Sequence, residues 1–108
     1  MAAIVETITV TAAGRGSVHN TLDGSAADTI TVNTSGYVAP VLATLINRSA
    51  GDIWFRLDGS VAVAAADGAY HLGAGKDYPF RVNGTMAVSI IAGSALAYSL
   101  QTAPATDG

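Results

Sequence analysis

The sequence of 108 residues contains no cysteine and few charged residues. Without cysteine, neither a disulfide framework nor a thiolate zinc site can form, so packing or assembly must hold the fold together. Only 12% of the residues are charged, with a single lysine, Lys76, and a single glutamate, Glu6. The net charge of −3 argues against a surface for nucleic acid or an anionic membrane, because both require clustered lysine and arginine.

The patterns of a secretory leader, a membrane-spanning helix and a catalytic motif are not evident in the sequence, and we expect none of them. Glu6 and alternating threonines interrupt the N-terminal apolar run, so we expect synthesis in the cytoplasm without a signal peptide. Residues 82–106 carry no charge, but their strand-like alternation and the turn residues Asn83, Gly84 and Gly93 argue against a transmembrane helix. Neither a G-x-S-x-G elbow nor a phosphate-binding loop occurs. We therefore predict a protein that is not an enzyme and uses no cofactor.

The side chains that commonly bind metals are scattered along the chain. His19 and His71 are the only histidines, and neither has a partner at ligand spacing. Asp23, Asp58 and Asp67 each precede a glycine, which is turn chemistry, and the spaced carboxylates of a calcium loop are missing. We predict no metal site.

What the chain does contain is repeated alternation of apolar and polar residues with a period of two, which predicts strands with one buried face. Its length suits one domain, residues 1–108, with a single core. We predict an all-β sandwich of about eight strands with jelly-roll-like or Greek-key connections. A first strand is expected at residues 4–11. We also expect a flexible N-terminal arm or loop, Met1 to Ala27, around a further short strand. The residues from Thr102 to Gly108 are expected to form a C-terminal tail.

The stretch from Asp77 to Gln101 predicts a meander of three antiparallel strands. A loop of Val82, Asn83 and a left-handed Gly84 joins the first two, and an odd loop centred on Gly93 joins the last two. Phe80 is expected to be deeply buried, so that its replacement by alanine costs about 3 to 5 kcal/mol. The predicted cross-strand pairs are Phe80 with Met86, Tyr78 with Val88, Ile90 with Leu96, Val88 with Tyr98, and Met86 with Leu100.

Two further strands are expected upstream. The segment from Tyr37 to Asn47 is apolar on both faces, which favours a central strand covered by the other sheet and by a loop or neighbouring subunit. In the next strand, Ile53 and Phe55 face one way, and Trp54 and Arg56 face the other.

Turn motifs in the C-terminal half of the chain carry a family resemblance. From Asn47 to Gly59 the sequence runs through an asparagine turn, an aromatic strand and an Asp-Gly pair. A Leu-x-x-Gly turn at 72–75 follows, and then a last hairpin that contains Met-Ala-Val-Ser at 86–89. This order resembles small virion proteins of tailed bacteriophages. Such proteins are β-sandwich modules that decorate or cement capsids, or that belong to the neck and tail.

The resemblance implies a non-enzymatic structural protein of a phage virion, made in the host cytoplasm, that decorates the capsid by binding the lattice of the major capsid protein. It also implies a homo-oligomer on the particle. A tail or neck component and a glycan-binding β-sandwich module are the alternatives. Eight of the thirteen charged residues fall between Arg48 and Arg81, which suggests a partner-facing rim. The candidate contact residues are Arg15, Arg48, Trp54, Arg56, Tyr70 and Lys76.

Two surface motifs have more than one interpretation. Trp54, Tyr70 and Tyr78 are suited to a platform for stacking sugars, but aromatic residues of this kind more often belong to a core or a subunit interface. The Thr-x-Thr strings at residues 7–9 and 29–31 resemble ice-binding surfaces, although exposed strand threonines explain two short copies equally well.

Overall fold

In the computed structural model, the residues that the structure describes are 4–10, 16–34, 40–63, 68–82 and 84–104. These residues form nine β-strands in two sheets, which confirms the all-β sandwich. The strands are β1 (Val5–Thr9), β2 (Gly16–Thr21), β3 (Asp28–Asn33), β4 (Val41–Asn47), β5 (Ile53–Arg56), β6 (Tyr70–Leu72), β7 (Asp77–Val82), β8 (Thr85–Ala92) and β9 (Ala97–Pro104).

The strand order is that of a jelly roll with one additional strand. One sheet has the order β1-β3-β8-β5-β6 and the other the order β2-β9-β4-β7. From β2 onward the antiparallel pairs are nested, with β5 beside β6, β4 beside β7, β3 beside β8 and β2 beside β9. This nesting of a long hairpin over two sheets confirms the jelly-roll expectation. The additional strand, β1, lies parallel to β3 at the edge of the five-stranded sheet.

The core lies between the inner faces of the sheets and follows from the alternation in the sequence. In β4, Val41, Ala43 and Leu45 are buried, while Leu42 on the outer face is 39% exposed. Strand β4 lies between β9 and β7, so the prediction of a central strand is confirmed, but the predicted burial of both faces is wrong for Leu42. In β5, Ile53 and Phe55 are buried and face the core, as predicted.

The predicted meander is wrong, because consecutive strands of the C-terminal segment lie in different sheets. Strand β7 pairs with β4, whereas β8 lies between β3 and β5 and β9 lies between β2 and β4. Phe80 is therefore opposite Ala43 and Val88 is opposite Ile30. Phe80 is only partly buried. The predicted left-handed conformation of Gly84 is confirmed by its φ of 102°. None of the predicted cross-strand pairs is formed, namely Phe80 with Met86, Tyr78 with Val88, Ile90 with Leu96, Val88 with Tyr98 and Met86 with Leu100.

Both terminal predictions also need correction. Thr102 pairs with Ala43 and Gly16 within β9, so the strand extends through the first residues of the predicted tail. The first strand predicted at residues 4–11 is confirmed as β1. The arm is not free, however, because β1 and β2 pair with β3 and β9. The short strand expected within the arm is confirmed as β2. The remainder of the arm at residues 1–3 and 11–15, and the end of the tail at 105–108, lie outside the described residues.

Candidate functional site

The described residues enclose no pocket and contain no cluster of side chains suited to a metal ion. The features described below lie on exposed faces and edges of the sandwich. Within the same residues, no helix is long and apolar enough to cross a membrane.

A pair of exposed tyrosines lies on one side of the sandwich. Tyr70 belongs to β6, the edge of the five-stranded sheet, and Tyr78 belongs to β7, the edge of the four-stranded sheet. Their rings are stacked, with centroids 6.1 Å apart and planes at 17°. Tyr70 is 53% exposed and Tyr78 is 38% exposed. The buried ring of Phe55 lies below them, with centroids 5.5 Å from Tyr70 and 5.1 Å from Tyr78. The stack thus closes this side of the core and leaves aromatic surface in contact with solvent.

The same edge strand carries a second aromatic pair on the outer face of the sheet. Trp54 and His71 are directly opposite one another on β5 and β6, and their ring centroids are 4.7 Å apart. Nε2 of His71 lies 3.0 Å from Oδ1 of Asp52. Lys76 completes the following turn by donating its main-chain N–H to the carbonyl of Gly73 at 3.1 Å. We refer to Trp54, Tyr70, His71, Lys76 and Tyr78 together as the β6 rim.

Arg56 and Asp58 form a charged pair beside the β6 rim. Nε of Arg56 donates to Oδ1 of Asp58 at 3.1 Å, and a second bond joins Nη2 to Oδ2. This bidentate contact, with a further bond from the Ser60 amide, lowers the pKa of Asp58 to about 2. The guanidinium group lies over Gly68, where a Cβ atom would be 2.7 Å from Nη1. The arginine is therefore held along the surface by a fixed partner and a close backbone.

The structure places three of the six predicted contact residues in the β6 rim, on two faces of the sheet. Trp54, Tyr70 and Lys76 belong to the β6 rim, and Arg56 lies next to it. Arg48 does not, because its guanidinium group donates to the carbonyl of Tyr98 at 3.2 Å, at the end of β4 and β9. Arg15 lies outside the described residues.

The three aromatic residues considered for a sugar platform do not share one face. Trp54 pairs with His71 on the outer face, whereas the neighbouring Phe55 pairs with Tyr70 on the inner face. Tyr78 contacts the Phe55 side of the sheet. Of the two interpretations of these residues, a single platform of Trp54, Tyr70 and Tyr78 is therefore not formed, since neighbouring positions on a strand point to opposite faces.

A buried asparagine that sequence reasoning treated only as a turn residue positions the β6 rim. Nδ2 of Asn47 donates to the carbonyls of Gly51, Leu72 and Gly73, at 2.7, 3.0 and 3.1 Å. Its Oδ1 accepts the amide and hydroxyl of Ser49, at 3.0 and 2.6 Å. One side chain thus joins β4 in one sheet to the end of β6 in the other. The signal in the sequence was an asparagine at the end of an apolar strand. That signal does not predict the contact with β6, because the acceptors Leu72 and Gly73 are 25 and 26 positions away.

A second buried polar group was missed entirely. Asp28 is fully buried, and its Oδ2 accepts the hydroxyl of Tyr98 at 2.8 Å while Oδ1 accepts the amide of Ile4 at 2.9 Å. Burial raises the pKa of the Tyr98 hydroxyl. At the nearby edge, Nδ2 of Asn20 donates to Oε1 of Glu6 at 2.6 Å. The bond between Tyr98 and Asp28 is buried and joins the two sheets, so we assign it a structural role.

Comparison with known proteins adds support for the fold. No protein family and no curated protein matches the sequence. The pre-peptidase C-terminal domain of a collagenase from Bacillus anthracis has a similar structure, with a TM-score of 0.54 and 14% identity over 94% of this chain and 97% of that chain. A periplasmic inhibitor of g-type lysozyme from Aeromonas hydrophila is also similar, with a TM-score of 0.51 and 13% identity over 94% and 98% of the two chains. Identities this low show the fold and do not transfer a function.

Proposed function

We propose that this protein is a non-enzymatic structural component of a tailed-bacteriophage virion that decorates the capsid by binding the major capsid protein through the β6 rim. The observation that carries the proposal is the exposed, stacked pair of Tyr70 and Tyr78 at the side of a rigid sandwich. The particular partner and location come from the sequence resemblance to phage virion proteins.

The composition of the β6 rim favours binding to protein. Tyrosine, tryptophan and arginine are the residues that most often dominate the energy of protein interfaces. Tyr70, Tyr78, Trp54 and Arg56 provide all three types around one edge strand. Large aromatic side chains with few rotatable bonds also lose little entropy on binding, and here Phe55 already supports both tyrosine rings.

Two of the segments that carry the sequence resemblance, residues 47–59 and 72–75, adjoin this surface, whereas residues 86–89 lie in β8, away from the β6 rim. The asparagine turn provides Asn47, the aromatic strand is β5, and the Leu-x-x-Gly turn at 72–75 joins β6 to β7. The turn motifs therefore have a common consequence, because they hold the edge strand and its aromatic side chains in one arrangement. A preformed contact surface of this kind is what a small cementing module requires.

The mechanism of cementing follows from linkage. A ligand that binds the assembled lattice, and not its separated subunits, stabilises the assembly by mass action. A decoration protein that bridges neighbouring capsid subunits through its β6 rim therefore raises the temperature at which the capsid dissociates. No bond is made or broken, and no catalytic group is required.

Binding to expanded capsids that lack the protein tests this proposal. We expect saturable occupancy of repeated lattice positions and a raised capsid melting temperature. The double substitution Tyr70→Ser with Tyr78→Ser should abolish both effects. Leu42→Ser is the matched control, because Leu42 is 39% exposed on the outer face of the other sheet, close to the 38% of Tyr78. Circular dichroism of each variant establishes that the fold is retained.

The alternatives give different outcomes in the same series. Binding to isolated tails, without binding to capsids, assigns the protein to the tail or neck. Quenching of Trp54 fluorescence by an added sugar, together with no binding to either particle, assigns it to the glycan-binding modules. Equal binding by the double tyrosine variant and by the Leu42→Ser control contradicts a contact through the β6 rim.

A further inference from the structure

The outer edge of β1 has unpaired main-chain groups in the part of the chain that the structure describes. Strand β1 pairs only with β3, and it does so in parallel. Ile4 accepts the amide of Thr29 and Val10 donates to Asn33, both at 2.9 Å, so the even-numbered residues of β1 direct their amide and carbonyl groups towards β3. Val5, Thr7 and Thr9 consequently direct theirs away from the sheet. All three are exposed, and Val5 is 78% exposed.

The edges on the opposite side of the sandwich carry features that discourage strand pairing. Strand β6 has only three residues, and β7 contains Pro79 between the charged residues Asp77 and Arg81. Short strands, prolines and charges are the usual means by which a protein prevents its edges from pairing. Strand β1 has five residues, no proline and one charge, Glu6, whose carboxylate accepts a bond from Asn20.

We propose that two copies of this chain associate through β1, forming an antiparallel pair with a twofold axis at Thr7. In this register Thr7 is opposite the partner's Thr7, and Val5 is opposite the partner's Thr9. In each of these pairs, both residues direct their main-chain groups outward. The amide of each residue can therefore donate to the carbonyl of the residue opposite, as in the hydrogen-bonded pairs of an antiparallel sheet. The two five-stranded sheets then become one continuous sheet across the axis, with β2 of each copy beside the junction.

Charge and hydrogen bonding both favour this register over its neighbours. An axis one residue earlier, at Glu6, places the two glutamates opposite one another, and like charges in that position are destabilising. An axis one residue later, at Ile8, leaves Val5 without an outward-facing partner in β1. With the axis at Thr7, Glu6 is opposite the partner's Ile8 and the two threonine side chains meet on the outer face, where cross-strand threonine pairs are favourable.

Single cysteine substitutions test the register directly, because the natural sequence has no cysteine. Paired residues of this type have Cα atoms about 5.5 Å apart, which is within disulfide range. Thr7→Cys should therefore form a covalent dimer rapidly under mild oxidation. Val5→Cys and Thr9→Cys should each form no covalent dimer when alone, since identical positions lie about 13 Å apart along the pair, at about 3.3 Å per residue. An equimolar mixture of these two variants should crosslink.

Sedimentation of the cysteine-free protein tests the association itself. We expect a concentration-dependent dimer that is lost in Thr7→Pro, which removes an outward donor, and in Thr7→Lys, which places two positive charges at the axis. Thr31→Lys is the control, because it adds the same charge to the same face one strand further from the axis. A monomer at every concentration, or equal crosslinking of all three single-cysteine variants, overturns the proposal. Neither result depends on whether the protein binds capsids.

Discussion

The hydroxyl of Tyr98 donates a hydrogen bond of 2.8 Å to the buried carboxylate of Asp28, across the interface between the two sheets. Tyr98 belongs to β9 of the four-stranded sheet and Asp28 begins β3 of the five-stranded sheet. The second carboxylate oxygen accepts the amide of Ile4. A buried polar group is costly unless it is hydrogen-bonded, so these contacts make Asp28 compatible with the core.

Replacing Tyr98 by phenylalanine should lower the free energy of unfolding by about 1 to 3 kcal/mol, because the carboxylate of Asp28 loses a partner while it remains buried. Urea denaturation provides the measurement. Tyr78→Phe is the control, and since Tyr78 is 38% exposed its hydroxyl should contribute no more than about 0.5 kcal/mol. Equal effects of the two substitutions would show that the Tyr98 hydroxyl has no special role.

Stability should fall at alkaline pH through the same hydroxyl. Burial, followed by the contact with Asp28, raises the pKa of Tyr98 above its ordinary value of 10.0. Below pH 10.0 the phenol is neutral in both the folded and the unfolded state, so its contribution is fully present. As the pH rises beyond this value, the unfolded chain releases the proton first, and the free energy of unfolding decreases.

Urea midpoints of the natural protein and of Tyr98→Phe, measured on both sides of pH 10, isolate this effect from the other titrating groups. We expect the difference between the two proteins to shrink as the pH rises. A difference that stays constant with pH would show that Tyr98 titrates alike in the folded and unfolded chain.

The facing of the strands was predictable from the sequence, but their pairing was not. Alternation correctly placed Phe55 and Trp54 on opposite faces of β5, and the structure shows that Phe55 faces the core. The same alternation places Phe80 and Val88 on inward faces. In a sandwich, a strand with one apolar face can bury that face from either sheet, so alternation does not identify the sheet. A turn such as the one at Gly84 does not specify whether the next strand remains in the same sheet. The expected hairpins failed for this reason, because β7 and β8 pair with β4 and β3 instead.

The sequence indicated which residues belong to the candidate site, but it did not indicate how they are arranged. Trp54 and Tyr70 are conspicuous in a sequence with few aromatic residues. Their separation onto two faces depends on the pairing of β5 with β6, and the stacking of Tyr70 on Tyr78 depends on two edge strands from different sheets. Asp28 gave no signal, because its partner Tyr98 is 70 positions away.

Asn47→Ala should destabilise the fold and impair binding through the β6 rim. The substitution leaves the carbonyl of Leu72 and its neighbours without their donor, and each buried group left unsatisfied costs about 1 to 3 kcal/mol. Thermal or urea unfolding measures the loss of stability. Ser49→Ala is the control, since it removes a hydroxyl bonded to Asn47 and leaves the donors to β6 in place. A smaller effect at Asn47 than at Ser49 contradicts the proposed positioning role.

Phe55 should contribute more to stability than Phe80. Phe55 is fully buried, and truncating such a residue to alanine costs about 3 to 5 kcal/mol. Phe80 is only partly buried on edge strand β7, so Phe80→Ala leaves a site that solvent can partly fill and should cost less. Chemical denaturation of the two variants gives the order. A larger loss for Phe80→Ala would place the centre of the core nearer to β7 than the structure has it.

Electron microscopy of phage particles that contain this chain tests the central claim most directly. The proposal predicts density for a small β-sandwich at repeated positions of the capsid lattice, with Tyr70 and Tyr78 facing the major capsid protein. Density restricted to the tail or neck would contradict capsid decoration. Capsid contacts made by another side of the sandwich, with both tyrosines facing solvent, would contradict binding through the β6 rim.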